Sequence, residues 1–196
     1  MFETPVFIDI EASSLAADSW PIEVGVAWLE GKRVIKHSSL IQPKPEWPEA
    51  AWHVDSAKIH NIPREDLNNA PLADDVAVWL AELVDGRPLV SDAPAFDERW
   101  LRQITGDQEW CKVYPLQEAL WWAFSDEGKI NPGKLRRAYK HRVSQKTVHR
   151  AADDAITSGA TALSDTSVVA IASKNIYAET VKRGPPSYLP TSCLRD

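Results

Sequence analysis

In the stretch Phe7-Ile8-Asp9-Ile10-Glu11 two acids alternate with apolar residues, which is the period of a strand with one buried face. Residues i and i+2 of a strand share a face, so Asp9 and Glu11 point the same way, about 6 to 7 Å apart, while Ile8 and Ile10 bury on the other side. Carboxylates this close repel each other unless a cation lies between them, and no Lys or Arg stands nearby in sequence. A hard divalent ion with oxygen ligands, Mg²⁺ or Mn²⁺, suits such a pair. Taken alone, the pattern is common and more often marks two exposed acids at a strand end.

Around this run the chain alternates strand and helix signals. Residues 5–10 form the first strand, and residues 21–29 a second, with Ile22, Val24, Val26 and Trp28 on one face and smaller residues on the other. Residues 33–41 follow the turn Glu30-Gly31-Lys32 and pair as a hairpin neighbour. Pro43, Pro45 and Pro48 then mark an irregular connection. Leu72, Val76, Leu80 and Leu83 give helical spacing over 72–83, closed by Asp85-Gly86 before a strand at 88–91. Helices are expected over 97–104, 116–124, 134–139 and 151–163, the last rich in Ala and able to approach a sheet closely. One strand re-enters between helices, so the expected fold is a mixed α/β sheet with helices packed on it.

A length of 196 residues suits one domain with an appendage. We place the domain at 1–165 and a C-terminal extension at 166–196, where Pro185-Pro186 and Pro190 suggest an extended tail packing on the domain or on a partner. Hydrophobic residues make up 44% and charged residues 26%, the balance of a globular chain. No apolar run approaches the roughly 20 residues of a spanning helix, and Met1-Phe2-Glu3-Thr4 lacks the basic start of a signal peptide. The expectation is a cytoplasmic protein with no membrane partner. Cys111 and Cys193 lack zinc or redox spacing and are expected to be reduced and incidental.

The net charge of −6 argues against wrapping nucleic acid. Residues 128–150 nevertheless hold Lys129, Lys134, Arg136, Arg137, Lys140, Arg142, Lys146 and Arg150 and no acid. A confined basic stretch in an acidic protein fits a locally bound anionic substrate; a solvated helix face explains it as well.

Two further constellations carry chemistry. Phe96-Asp97 follows the strand at 88–91, where Asp97 is either a site acid or a helix cap. His149 and Asp154 are five residues apart, about 140° around a helix axis, and so do not share a helical face. Both reach one site only if His149 stands on the loop before the helix and Asp154 lies on its inward side, the arrangement that a base beside a metal ligand requires.

Together these pieces resemble the DEDDh group of 3′-to-5′ exonucleases, whose pattern is D-x-E in the first strand, Phe-Asp after a later strand, and H-x-A-x-x-D opening a late helix. Here these are Asp9 and Glu11, Phe96-Asp97, and His149 with Asp154. The likeness extends to Ile22-Glu23-Val24-Gly25 and to His60-Asn61-Ile62, which is similar to the family's His-Gly-Ile. It implies a ribonuclease-H-like fold, a mixed five-stranded sheet flanked by helices. It also implies two-metal phosphodiester hydrolysis at the 3′ end of single-stranded DNA or RNA, releasing nucleoside 5′-monophosphates. Asp9, Glu11, Asp97 and Asp154 would hold two divalent cations, Mg²⁺ or Mn²⁺, and His149 would act as general base.

The family's Thr-Thr-Gly is replaced here by Ala12-Ser13-Ser14, and its His-Asn-Ala by Ser91-Asp92-Ala93 with one extra residue before Phe96. Both changes touch substrate contacts, for which the candidates are Ala12, Ser13, Leu15, Phe96, Lys134, Arg136 and Arg137. Leu15 either packs against the terminal base or sits in the core. Of nine tryptophans, Trp28, Trp79, Trp100, Trp121 and Trp122 fit core positions, while Trp47 and Trp52 are candidates for base or partner contacts. A homodimer and a polymerase or repair partner both remain open. The competing interpretation is a catalytically silent nucleic-acid-binding or interaction module that retains the fold.

Overall fold

In the computed structural model, which describes residues 4–31, 33–126, 129–130, 132–133, 136 and 149–156, the opening run becomes strand β1 (Val6–Ala12). It lies at the centre of a five-stranded sheet with β2 (Pro21–Glu30), β3 (Arg33–Leu40), β4 (Leu89–Ser91) and β5 (Val113–Pro115), in the order β3-β2-β1-β4-β5. β1 pairs antiparallel with β2, and β2 with β3, while β1–β4 and β4–β5 are parallel. The sheet is therefore mixed. Parallel neighbours need crossovers, and helices supply them. α1 (Val54–His60) and α2 (Ala73–Val84) precede β4, and α3 (Pro94–Thr105) joins β4 to β5. α4 (Leu116–Ala123), a small β6–β7 hairpin (Ser125–Asp126, Lys129–Ile130) and α5 (Ala151–Ala155) follow.

The main core fills one side of the sheet. Val6, Ile8, Ile10, Val24 and Val26 meet Val76, Leu80 and Val84 of α2 and Trp100, Leu101 and Ile104 of α3 in one buried cluster. Each such aliphatic side chain contributes about 1.5 to 3 kcal/mol by leaving water. The helical spacing at 72–83 is thus borne out with one adjustment, since Leu72 caps α2 and is exposed while Val84 takes the last inward position.

The opposite face is covered as well. β2 is buried along nearly its whole length, because the small residues of its second face lie under α5. Gly25 stands opposite Asp9 in the β1–β2 ladder, and a Cβ built on it would come within 2.1 Å of the Ala151 carbonyl carbon and the Ala152 nitrogen. Backbone is packed directly on backbone at this point, and only glycine fits.

Several elements depart from expectation. The helix predicted from 97 begins at Pro94, where a fixed φ suits the first helical turn. The Pro-rich connection leads into 3₁₀ turns at Glu49–Ala51 and Arg64–Asn69 and into α1. Within it Trp47 stacks on buried Trp20 at 6.1 Å between ring centroids, and Trp52 lies 5.8 Å from Trp20. Both half-buried rings build a small second core with Ile22, Ala51, Ile62 and Leu67. Trp100 is buried as expected, but Trp121 is exposed. Asn61 adopts the left-handed conformation at the end of α1, the place held by glycine in the family's His-Gly-Ile, and asparagine tolerates it well. Cys111 is buried and free. Among the described residues no helix is long and apolar enough to cross a membrane. Residues 134 and 137–140, the continuation of the last helix over 157–163, the extension at 166–196 and Cys193 lie outside the described residues.

The Gly25 contact has a measurable consequence. Gly25→Ala should lower the unfolding free energy by about 1 to 3 kcal/mol, the range for forcing atoms into a filled core. Urea denaturation of the two proteins measures it; equal midpoints would mean that α5 does not rest on β2 as described.

Candidate active site

The second face of β1 carries the acids. Asp9 and Glu11 project towards α5, with Ile8 and Ile10 buried behind them, as strand alternation requires. β4 runs parallel beside β1 and ends at Ser91, so the chain emerges next to the acids and turns at once into α3. Asp97 therefore sits in the first turn of α3, inside the helix, buried against β1 and not acting as its cap. Its Oδ1 accepts a hydrogen bond from the Ile10 backbone N–H at 3.0 Å, and its Oδ2 accepts one from the Ser91 hydroxyl. The Ser91 oxygen in turn accepts from the Ala93 N–H at 2.9 Å. Ser91, which the departure Ser91-Asp92-Ala93 assigns to substrate contacts, instead holds a site acid, and its signal in the sequence is a hydroxyl ending an otherwise apolar strand.

α5 brings the remaining two groups. Arg150 caps the helix in an extended conformation, and His149 before it has φ +55°. His149 thus stands outside the helix while Asp154 is buried against the sheet, the condition that their spacing imposes. One ligand atom each from Glu11, His149 and Asp154 lie within 4.8 Å of one another.

The electrostatics reflect the crowding. Burial lifts the Asp9 carboxyl well above its ordinary range, and the charges of Asp97, Glu11, Asp154 and Asp92 push it further. Glu11 is pushed up to about 7 by burial and then by Asp154, Glu23 and Asp97, with Arg150 opposing. Asp97 also reaches about 7 through burial, with Asp92 adding to the rise and the Ser91 and Ile10 hydrogen bonds opposing it. Buried carboxylates with one imidazole form a hard, anionic donor set, which fits divalent ions of the Mg²⁺ or Mn²⁺ class.

Around this centre the candidate substrate contacts divide. Ala12 and Ser13 are buried. Ser13 closes the turn after β1, its N–H donating to the Trp20 carbonyl at 2.9 Å and its hydroxyl accepting from the Trp20 N–H at 3.1 Å. Leu15 is 74% exposed, which rules out the core alternative, and Phe96 is 40% exposed with Arg99 over its ring at 5.3 Å. Arg136 is exposed, and Lys134 and Arg137 lie outside the described residues.

No protein-family model matches the chain, and no curated protein matches it by sequence. Solved structures do match by shape. A 3′-exonuclease solved for 3′-end specific recognition of histone mRNA stem-loop superposes with TM-score 0.57 at 11% identity, over 89% of this chain and 65% of that one. Escherichia coli exonuclease I in complex with a dA16 oligonucleotide gives TM-score 0.57 at 14% identity, over 90% and 43%. The nuclease domain of 3′hExo, a DEDDh family member, bound to rAMP, gives 0.53 at 10% identity, over 93% and 94%. This chain has the fold of the DEDDh exonucleases. It spans less than two thirds of the length of the first two proteins.

The raised carboxyls set a pH dependence in the metal-free protein. A group whose pKa is higher folded than unfolded stabilises the fold fully below the unfolded value, about 4 for a carboxyl, and loses that contribution as pH rises through its folded value. For Glu11 and Asp97 the window closes near 7. The Tm in EDTA should therefore fall from about pH 4 to pH 7, and saturating Mn²⁺ should remove the decline. Glu11→Gln should lessen it. Differential scanning calorimetry across this range reads all three, and a Tm that climbs over the window in EDTA would contradict the crowding.

Proposed function

We propose that the protein is a metal-dependent 3′-to-5′ exonuclease acting on single-stranded DNA or RNA. The observation that carries this reading is the meeting of Glu11 with His149 and Asp154, segments nearly 140 positions apart, at one point on β1, with the Asp9 and Asp97 carboxyls electrostatically coupled beside them. The fold shared with 3′-exonucleases supports it. Asp9, Glu11, Asp97 and Asp154 would hold divalent cations, which when bound supply the positive charge that opposes charge build-up on the attacking and leaving oxygens of the phosphate.

The protein's own groups do the rest. An imidazole nitrogen of His149, exposed on its loop, takes the proton from the attacking water. The bond from phosphorus to the 3′ oxygen of the penultimate nucleotide breaks, and that oxygen leaves with a proton drawn from solvent. The released piece is a nucleoside 5′-monophosphate. Leu15 and Phe96 offer exposed apolar surface for the terminal base and sugar, and Lys134, Arg136 and Arg137 neutralise phosphates further along the strand. We place the exonuclease domain at residues 1–165, with 166–196 as an extension on the domain or a partner.

Digestion of matched 3′-labelled and 5′-labelled DNA and RNA strands with Mn²⁺ tests the reading. A 5′-labelled strand should yield a ladder shortening from the 3′ end, and a 3′-labelled strand a labelled mononucleotide from the first time point. Asp9→Ala should stop release while the metal-free protein stays folded. Binding of the strand without release by the wild type would make it a silent binding module. Between the two α5-side groups, His149→Ala should lower kcat by about 10² to 10⁴ with Mn²⁺ affinity near normal, whereas Asp154→Ala should weaken both. Titration calorimetry of Mn²⁺ into each variant separates them, and equal loss of affinity would make His149 a ligand.

A further inference from the structure

We infer that Glu23 and Arg150 form a positioning clamp that sets where His149 and Asp154 stand relative to Glu11, an assignment that rests on the proposed metal-dependent reading. Glu23 is a buried acid in the middle of the sheet, on β2 opposite Glu11 in the ladder. An ionised carboxylate at such a depth is costly unless its lone pairs are used. Here all the donors come from one short segment. Arg150 gives Nε to Oε2 at 3.0 Å and Nη2 to Oε1 at 2.9 Å, a bidentate fork, and the Ala151 backbone N–H gives a third bond to Oε2 at 3.2 Å.

The position of this segment makes the clamp functional. Arg150 is the residue between His149 and α5, and Ala151 is the first residue of the helix that carries Asp154 three residues on. His149 is held at φ +55°, a conformation that is unfavourable for a non-glycine residue and persists only where neighbours impose it. Two contacts impose it here. Glu23 pulls the start of α5 onto β2 through three hydrogen bonds, and two positions along the same strand Gly25 removes the Cβ that would hold the helix off. Glu23 thus does for α5 what an N-cap side chain does locally, but from a different strand, and the helix is tied to the sheet as well as capped. Neither residue is assigned contact with the reacting atoms.

The clamp and a mere stability role give different outcomes when the pair is removed together. Arg150→Met leaves a buried carboxylate without its cation and should lower Tm; adding Glu23→Gln removes that stranded charge and should restore much of it. Geometry is not restored, because the fork is still missing. The double variant should therefore show near-wild-type Tm with Mn²⁺ affinity and kcat each about 10- to 100-fold down, the range for residues that orient metal ligands, and KM for the strand within twofold. Should the double variant not fold, Arg150→Lys, which keeps charge but loses the fork, takes its place with an expected loss of about 10-fold in both. Mn²⁺ affinity is measured by titration calorimetry in the absence of substrate, so the clamp is tested even if the wild type releases no nucleotide. Affinity within twofold of wild type, or a rise in KM with kcat intact, would overturn the clamp.

Discussion

Carboxylate crowding at the end of β1 is the constraint around which this molecule is organised. Asp9 and Glu11 come from one strand face, Asp97 from α3 and Asp154 from α5, and the charges of Glu11, Asp97 and Asp154 all push the Asp9 carboxyl up. Negative groups pressed together out of water destabilise a fold, and nothing in ordinary core packing would select such an arrangement. The protein tolerates it because both faces of the sheet are covered independently. The aliphatic core behind Ile8 and Ile10 holds α2 and α3 in place, so Asp97 is delivered to the acids by a helix that is anchored elsewhere. Its two oxygens are then fixed by the Ile10 N–H and the Ser91 hydroxyl, which oppose the rise in its pKa.

α5 is held differently. Apart from Asp154, its inward positions are alanines, each of which buries little area. Polar ties to the sheet are the bonds from Arg150 and Ala151 to Glu23 and the Lys36–Asp153 ion pair from β3, and Gly25 permits the close approach. The small residues make the approach possible and the polar contacts make it specific, since an alanine face alone could slide along β2 without much change in burial. Asp154 is thus placed on a helix whose start is fixed by hydrogen bonds to the sheet.

This division explains what was legible in the sequence. The alternation of Asp9 and Glu11 with Ile8 and Ile10 encodes both the strand and the shared face, because side-chain direction in a strand follows from period alone. The five-residue gap between His149 and Asp154 similarly dictates that one must leave the helix, as the left-handed His149 shows. Less could be read where tertiary contacts decide. β5 is three residues long and owes its pairing to β4, with too few positions for a period. The prolines at 43, 45 and 48 conceal α1 and the 3₁₀ turns just beyond them, and Trp47 and Trp52 gain their packing role from Trp20, which lies far back in sequence. Glu23 reads as one acid in an apolar strand, and only the fold reveals that its partners arrive from 127 positions away.

The departures from the family pattern now have physical content. Asp92, where the family places asparagine, adds a further negative charge that raises the pKa of both Asp9 and Asp97. In a chain of net charge −6, an anionic strand approaching this centre meets like charge from those acids that are ionised. Under the proposed reading, divalent cations must therefore occupy the site before or together with the strand, since the field at the acids is repulsive until they do. The extra carboxylate makes that order stricter: it strengthens attraction for the cations and repulsion of the strand alike, coupling the two binding events more tightly than four carboxylates would.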